Sequence, residues 1–192
     1  MNEVVHYFGY GTIRDPKVIA AILGKSQIAL HCIPAILEGY DLAVQRLDQV
    51  PDIVSQKAPS HISPRDLLNK SWSEDFTSYV IKPNLKGRVA GVIWEMTPDE
   101  FERMRAWELI DYGWYEDSQG VAKTTDGQLI PVRFHSLGAR QAVDRIVNGL
   151  DYETWLGRPK EFIKIAERAR LKFDKRMTRA SKKAHLNGQG KS

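Results

Sequence analysis

The order of elements predicts an α+β protein with a mixed or barrel-like core and a helical extension at the C-terminus. Three observations carry this expectation. Strand-like and helix-like segments do not alternate strictly, which disfavours a doubly wound parallel sheet. The run Val89 to Met96 is nearly all apolar and reads as a central strand. Finally, residues 158–192 hold 12 Lys or Arg against three Asp or Glu, whereas residues 1–157 hold 16 against 21. A mildly acidic body therefore precedes a strongly basic tail, and we divide the chain into a domain over 1–150 and a basic helical extension over 151–192.

The opening is predicted as strand, glycine loop and helix. Val4 to Phe8 is β-branched and aromatic and runs into Gly9-Tyr10-Gly11. Asp15 before Pro16 is an N-cap signal, Val18, Ile19, Ile22 and Leu23 share a face, and Gly24 ends the helix. Two strands are expected over Gln27 to Ile33 and Ala35 to Val44, broken at Pro34. Residues 46–75 carry three prolines and read as a long connection with a short helix near Pro64 to Asn69. Strands follow at Phe76 to Ile81 and Val89 to Met96. Thr97-Pro98-Asp99-Glu100 is a capping box opening a further helix. Asp126-Gly127 between Val121–Thr125 and Gln128–His135 signals a hairpin. Leu137 to Leu150 and Pro159 to about Ala184 are expected to be helical, with disorder from Gly188 onward.

Composition excludes several classes. No apolar run approaches the ~20 residues of a membrane-spanning helix, and no secretory signal is read at the N-terminus. Cys32, the single cysteine, cannot form an internal disulfide and is expected as a small core residue; a cytoplasmic setting is expected. The five histidines show no close ligand spacing, so no metal site is expected. Because the positive charge is confined to the tail, nucleic-acid binding is not expected, although the basic helix offers a contact surface for an acidic partner.

Two features could carry chemistry. Glu108 stands at i+7 from Phe101 and i+4 from Met104 on the helix opened by Pro98, on the face that packs inward. Burial there would raise its pKa from about 4.3 towards the range of a general base. Alternatively the helix stops near Arg105, leaving Glu108 solvated or paired with Arg103 or Arg105. The Gly9-Tyr10-Gly11-Thr12-Ile13 turn could aim several backbone N–H groups at an anion, or be a plain strand-to-helix connection.

Read together, these features resemble a known family. Tyr7-Phe8-Gly9-Tyr10-Gly11-Thr12 resembles the opening strand and Y-G-[ST] loop of the γ-glutamylcyclotransferase-like proteins, and Gly91-Val92-Ile93-Trp94 resembles their "GVVW" strand. Glu108 stands at the distance from that strand where the family has a glutamate, and Tyr115 matches a later tyrosine. The resemblance implies a small mixed β-barrel with helices around it, and acyl transfer within one small γ-glutamyl substrate, releasing 5-oxoproline and an amine or amino acid. Glu108 would be the general base, with Tyr10, Gly11, Thr12, Ile13 and Tyr115 at the substrate. It implies no cofactor and no metal. Transfer to another amine and a non-catalytic binding module are the alternatives on the same fold. Where many members read Y-G-S-N and E-G, this chain has Thr12-Ile13 and Glu108-Leu109, with Trp107 just before the glutamate.

Overall fold

The computed structural model describes residues 3–72, 75–157 and 159–189. Strand β1, Val5–Gly9, leads through a one-turn 3₁₀ segment, Gly11–Arg14, into α1, Pro16–Leu23. The side chain of Asp15 accepts from the Lys17 N–H at 2.8 Å, and Gly24 closes the helix at φ +73°. Two long strands then dominate: β2, Cys32–Arg46, and β3, Thr77–Met96. Between them lies α2, Pro64–Ser71, capped by Ser63. Helix α3, Pro98–Trp107, follows with both halves of its capping box formed. The chain continues through β4, Glu116–Thr124, β5, Leu129–Ser136, the short β6, Arg145–Val147, and α4, Pro159–Gln189.

The strands run in the order β3-β1-β5-β4-β2, and β2 pairs again with β3, so five strands close a barrel. β1 and β5 are parallel and the other pairings are antiparallel, which makes it mixed. β6 adds to the far half of β2. Closure removes the exposed edges of an open sheet. Phe8, Leu37, Ile81, Ile93 and Phe134 fill the interior, and a second cluster joins α1 and α3 to the outside of the sheet through Ile19, Trp94, Phe101 and Met104.

Several local expectations give way to longer-range pairing. Gln27–Ala29 is a 3₁₀ turn rather than a strand. Pro34 lies inside β2 because β4 pairs only from Ala35 to Leu37, leaving Pro34 one unpaired side. The two strands expected from Phe76 to Met96 are one, accommodated by an irregularity opposite Gly39 at φ +87°. Leu137 to Leu150 is not helical: it consists of turns and β6, and the Leu137 and Asp144 N–H groups donate to Ile81 and Val44 of the sheet. Cys32 is exposed at the start of β2, not in the core. Helix α4 continues past Ala184 through Gly188 to Gln189, and residues 190–192 lie outside the described residues.

The segment after Pro159 packs firmly against the rest. Ala166 is fully buried against α1 and α3, Arg170 donates to the carbonyl of Ala21 at 3.2 Å, and Asp174 bonds Arg103 of α3 at 3.2 Å. Helix α2 is likewise built in, through Leu68 in a third cluster with Val50, Phe76 and Trp114.

Candidate active site

Gly11 is required twice over. Its φ of +57° lies in the left-handed region, and a Cβ there would come within 3.0 Å of the Tyr79 Cβ. The loop it opens is more occupied than the sequence suggested. The Gly11 N–H donates to the Tyr152 hydroxyl at 3.1 Å, and the Ile13 N–H donates to the Tyr10 carbonyl at 3.2 Å. Among the described residues, Thr12 alone of the three keeps its N–H free of a protein acceptor. The Tyr152 hydroxyl donates to the Ala90 carbonyl at 2.6 Å, and its ring carries Arg14 on its face at 4.1 Å. It straps the loop to β3 from 141 residues away, a link that no local pattern could announce.

Glu108 is the first residue beyond α3, and its placement is fixed by the helix ending. The Leu109 N–H bonds the Ala106 carbonyl at 3.3 Å and the Ile110 N–H reaches back to Arg105 at 3.1 Å, with Leu109 at φ +53°. This is a Schellman closure, in which glycine normally takes the left-handed position. Leu109 adopts it at a cost of about 1 kcal/mol, preserving the conformation at the position where the resembling family has glycine.

The carboxyl of Glu108 is buried, at 7% exposure, and no hydrogen-bond donor or cation among the described residues meets it. The arginines that could have neutralised it are engaged elsewhere. Arg103 holds Asp174, while Arg105 is spread over Glu102, Asp111 and Asp117. Burial therefore pushes the Glu108 pKa up to about 8.

Glu108 lines a cavity of about 490 Å³ together with Tyr10, Thr12, Ile13 and Tyr115, a size suited to a small molecule. Gly11 lies behind this wall, under Tyr79. Tyr10 donates to the His135 carbonyl at 2.9 Å, and Tyr115 donates to the Tyr79 carbonyl at 3.3 Å. Burial, together with the nearby Glu108, holds the Tyr7, Tyr10 and Tyr115 hydroxyls well above the usual phenol range. All three stay protonated donors at any working pH. Tyr7 also meets His135 Nδ1 at 3.2 Å, and burial, reinforced by Arg105 and Arg133, depresses that imidazole to about 3. His135 is a neutral prop.

The sequence reading singled out Trp107 beside the glutamate but missed Tyr152 as the loop's anchor and the rings of Trp72 and Phe162, which form an aromatic wall with Trp107. Trp72 caps the C-terminus of α2, Trp107 ends α3 and Phe162 lies on α4, with Trp72 and Phe162 centred 4.5 Å apart. Among the described residues, no group of three or more His, Cys, Asp or Glu could hold a metal, and no helix is long and apolar enough to cross a membrane.

Comparison with solved structures gives this geometry its context. A structure described as a γ-glutamyl cyclotransferase superposes with a TM-score of 0.52 at 18% identity, covering 71% of this chain and 68% of that one. An uncharacterized protein from Homo sapiens superposes equally well at 19% identity, over the same shares. No family model and no curated protein sequence matches the chain. The architecture is thus that of the γ-glutamylcyclotransferase-like fold, a closed five-stranded mixed barrel with helices around it. The likeness first read from one loop, one strand and one glutamate extends to the whole barrel.

Proposed function

We propose that this chain is an enzyme that closes a γ-glutamyl compound on itself, releasing 5-oxoproline and an amine or amino acid, with Glu108 as the general base. One observation carries the reading: the carboxyl of Glu108 is buried at the wall of a cavity with no cation beside it among the described residues. Such a group is costly unless a ligand supplies the missing charge. A γ-glutamyl substrate does so through its α-ammonium.

The steps balance without a further reactant. The Glu108 carboxylate pairs with the α-ammonium and takes one proton from it. The freed amine attacks the γ-carbonyl carbon, closing a five-membered ring in an intramolecular step that asks only for a held geometry. The developing oxyanion is met by the Thr12 N–H, the loop donor left free. The amide C–N bond then breaks as the proton on Glu108 passes to the leaving nitrogen, and the regenerated carboxylate takes the second proton from the ring nitrogen and hands it to the released amine, which departs as an ammonium. Tyr10 and Tyr115, neutral and fixed by their carbonyl partners, shape the γ-glutamyl end, and Ile13 closes it with an apolar side chain. We take residues 1–150 as the catalytic domain and 151–192 as an added wall, and we place the reaction in the cytoplasm.

Incubating the protein with a panel of γ-glutamyl amides and γ-glutamyl amino acids, followed by mass spectrometry of the products, tests the proposal. 5-Oxoproline is the expected product. A γ-glutamyl group moved intact onto another amine would replace ring closure with transfer, and the absence of any product would leave the fold a binding module.

A further inference from the structure

Beyond the aromatic wall, the same cavity is edged by four cations: Lys70 of α2, and Arg168, Lys172 and Arg176 of α4. The three on α4 recur every fourth residue and so share one helix face. Like charges at that spacing repel one another, and a solvated helix has no need to gather them on one side. None of the four has an acidic partner among the described residues. Arg168 gives its Nε only to the Lys164 carbonyl at 3.3 Å, and Arg176 lies over the Phe173 ring at 5.4 Å.

Two of the three acids of α4 are turned away from this face, and the third, Glu161, stands two turns before Arg168 and does not line the cavity. Asp174 is held between Arg103 and Arg170, each at 3.2 Å, and Glu167 faces a separate shallow surface with Lys17 and Arg170. Two acids share the cavity wall with the four cations. Asp111 is engaged by Arg105 at 3.7 Å, and Glu108 is neutral below about pH 8. The cavity therefore has a carboxyl at its buried end, rings of Trp72, Trp107 and Phe162 along its wall, and uncompensated positive charge on its rim.

We propose that the amine released from the substrate carries an apolar body and, beyond it, an anionic group held by Lys70, Arg168, Lys172 and Arg176. This rests on the reading of Glu108 as the seat of the γ-glutamyl ammonium, which fixes the direction in which the ligand lies. The rings would cover the apolar body, and the rim would meet a carboxylate or phosphate at its far end. The basic face of α4 is then a specificity element of the site.

Two probes that differ only in the distal charge test this: γ-glutamyl anilide, and the same anilide with a para carboxylate. Their affinities are measured by calorimetry on the full chain carrying Glu108→Gln, which slows turnover and affects the shared γ-glutamyl end of both probes alike. The carboxylate probe should bind roughly tenfold more tightly at ~20 mM salt, with the advantage shrinking severalfold at ~0.5 M. Adding Arg168→Glu and Lys172→Glu should bring the ratio to about one or below. Should that pair disturb folding in a thermal melt, Arg168→Gln with Lys172→Gln should give an intermediate ratio. Equal affinity for the two probes, binding of neither, or a ratio unmoved by the substitutions overturns the proposal. 5-Oxoproline release by the unmodified chain is read separately. A tenfold ratio without ring closure would uphold the rim and defeat the catalytic reading; ring closure with equal affinities would do the reverse.

Discussion

Helix α3 carries a buried glutamate at each end, and the two behave in opposite ways. Glu100 is 5% exposed and Glu108 is 7% exposed, so burial alone does not separate them. At the N-terminal end burial pushes the Glu100 pKa up, but the Lys25 ammonium at 2.5 Å and the Thr97 N–H at 2.9 Å outweigh it and leave the group below its usual value. At the C-terminal end burial acts unopposed, and Glu108 rises to about 8. The helix dipole adds to the contrast, since it favours an anion in the first turn and disfavours one at the last. A buried carboxylate whose pairing is complete belongs to the fold. One whose pairing is left open is available to a ligand.

The largest effect expected from breaking this contrast is on activity. Glu108→Gln keeps the shape and removes the base, so kcat/KM for 5-oxoproline release should fall by ~10² to 10⁴. In the unmodified chain the same quantity should climb with pH along a limb centred near 8, as the carboxyl of the free enzyme ionises. A flat profile in that range, or near-normal turnover by the variant, would remove Glu108 from the mechanism.

The second effect is on stability, and its sign is the reverse of the usual loss. The folded pKa of Glu108 lies above its ordinary value of 4.5, so between pH 4.5 and about 8 the unfolded chain releases a proton that the folded chain keeps. Stability contributed by this group therefore falls as pH rises through that window, by on the order of 5 kcal/mol at the top of it. Glu108→Gln should be the more stable protein at pH 8 by several kcal/mol, and the advantage should vanish near pH 4.5. Denaturant melts of both proteins at the two pH values check this.

What was legible in the sequence follows the same division between local and distant partners. The Asp15 cap, the Gly24 stop, the Thr97–Glu100 box and the Asp126-Gly127 hairpin are written within a few residues of where they act, and each formed as expected. The inward position of Glu108 was legible because Phe101 and Met104 set the face of α3, even though the glutamate stands one residue past the helix. The fusion of β3, the passage of β2 through Pro34 and the existence of β6 depend on strands far apart in the chain. So do the sealing of the Gly11 N–H by Tyr152 and the service of Trp72 and Phe162 on one wall. None of these leaves a periodicity, and each was misread or missed.

A third effect concerns the other end of α3. Glu100→Ala removes the ion pair and half of the capping box together, and should cost about 1–3 kcal/mol at pH 7. Because Glu100 lies away from the cavity, turnover per folded molecule should be kept. A large loss of kcat without a loss of stability would mean that the two glutamates are not separable in the way their surroundings indicate.

The smallest effect isolates the cation from the cap. Lys25→Met leaves Glu100 buried with its bond from the Thr97 N–H but withdraws the ammonium. Lys25 is 35% exposed, so water screens much of the attraction, and the loss should be about 1 kcal/mol at neutral pH. Its pH dependence is the informative part. The folded pKa of Glu100 is lowered, so the stability it contributes is present above its unfolded value and lost as pH falls through the folded one. The difference between Lys25→Met and the unmodified protein should therefore close on acidification, whereas the advantage of Glu108→Gln opens as pH rises. If instead Lys25→Met costs the same at every pH, then Lys25 acts by packing its aliphatic stem, and the low pKa of Glu100 rests on the Thr97 cap alone.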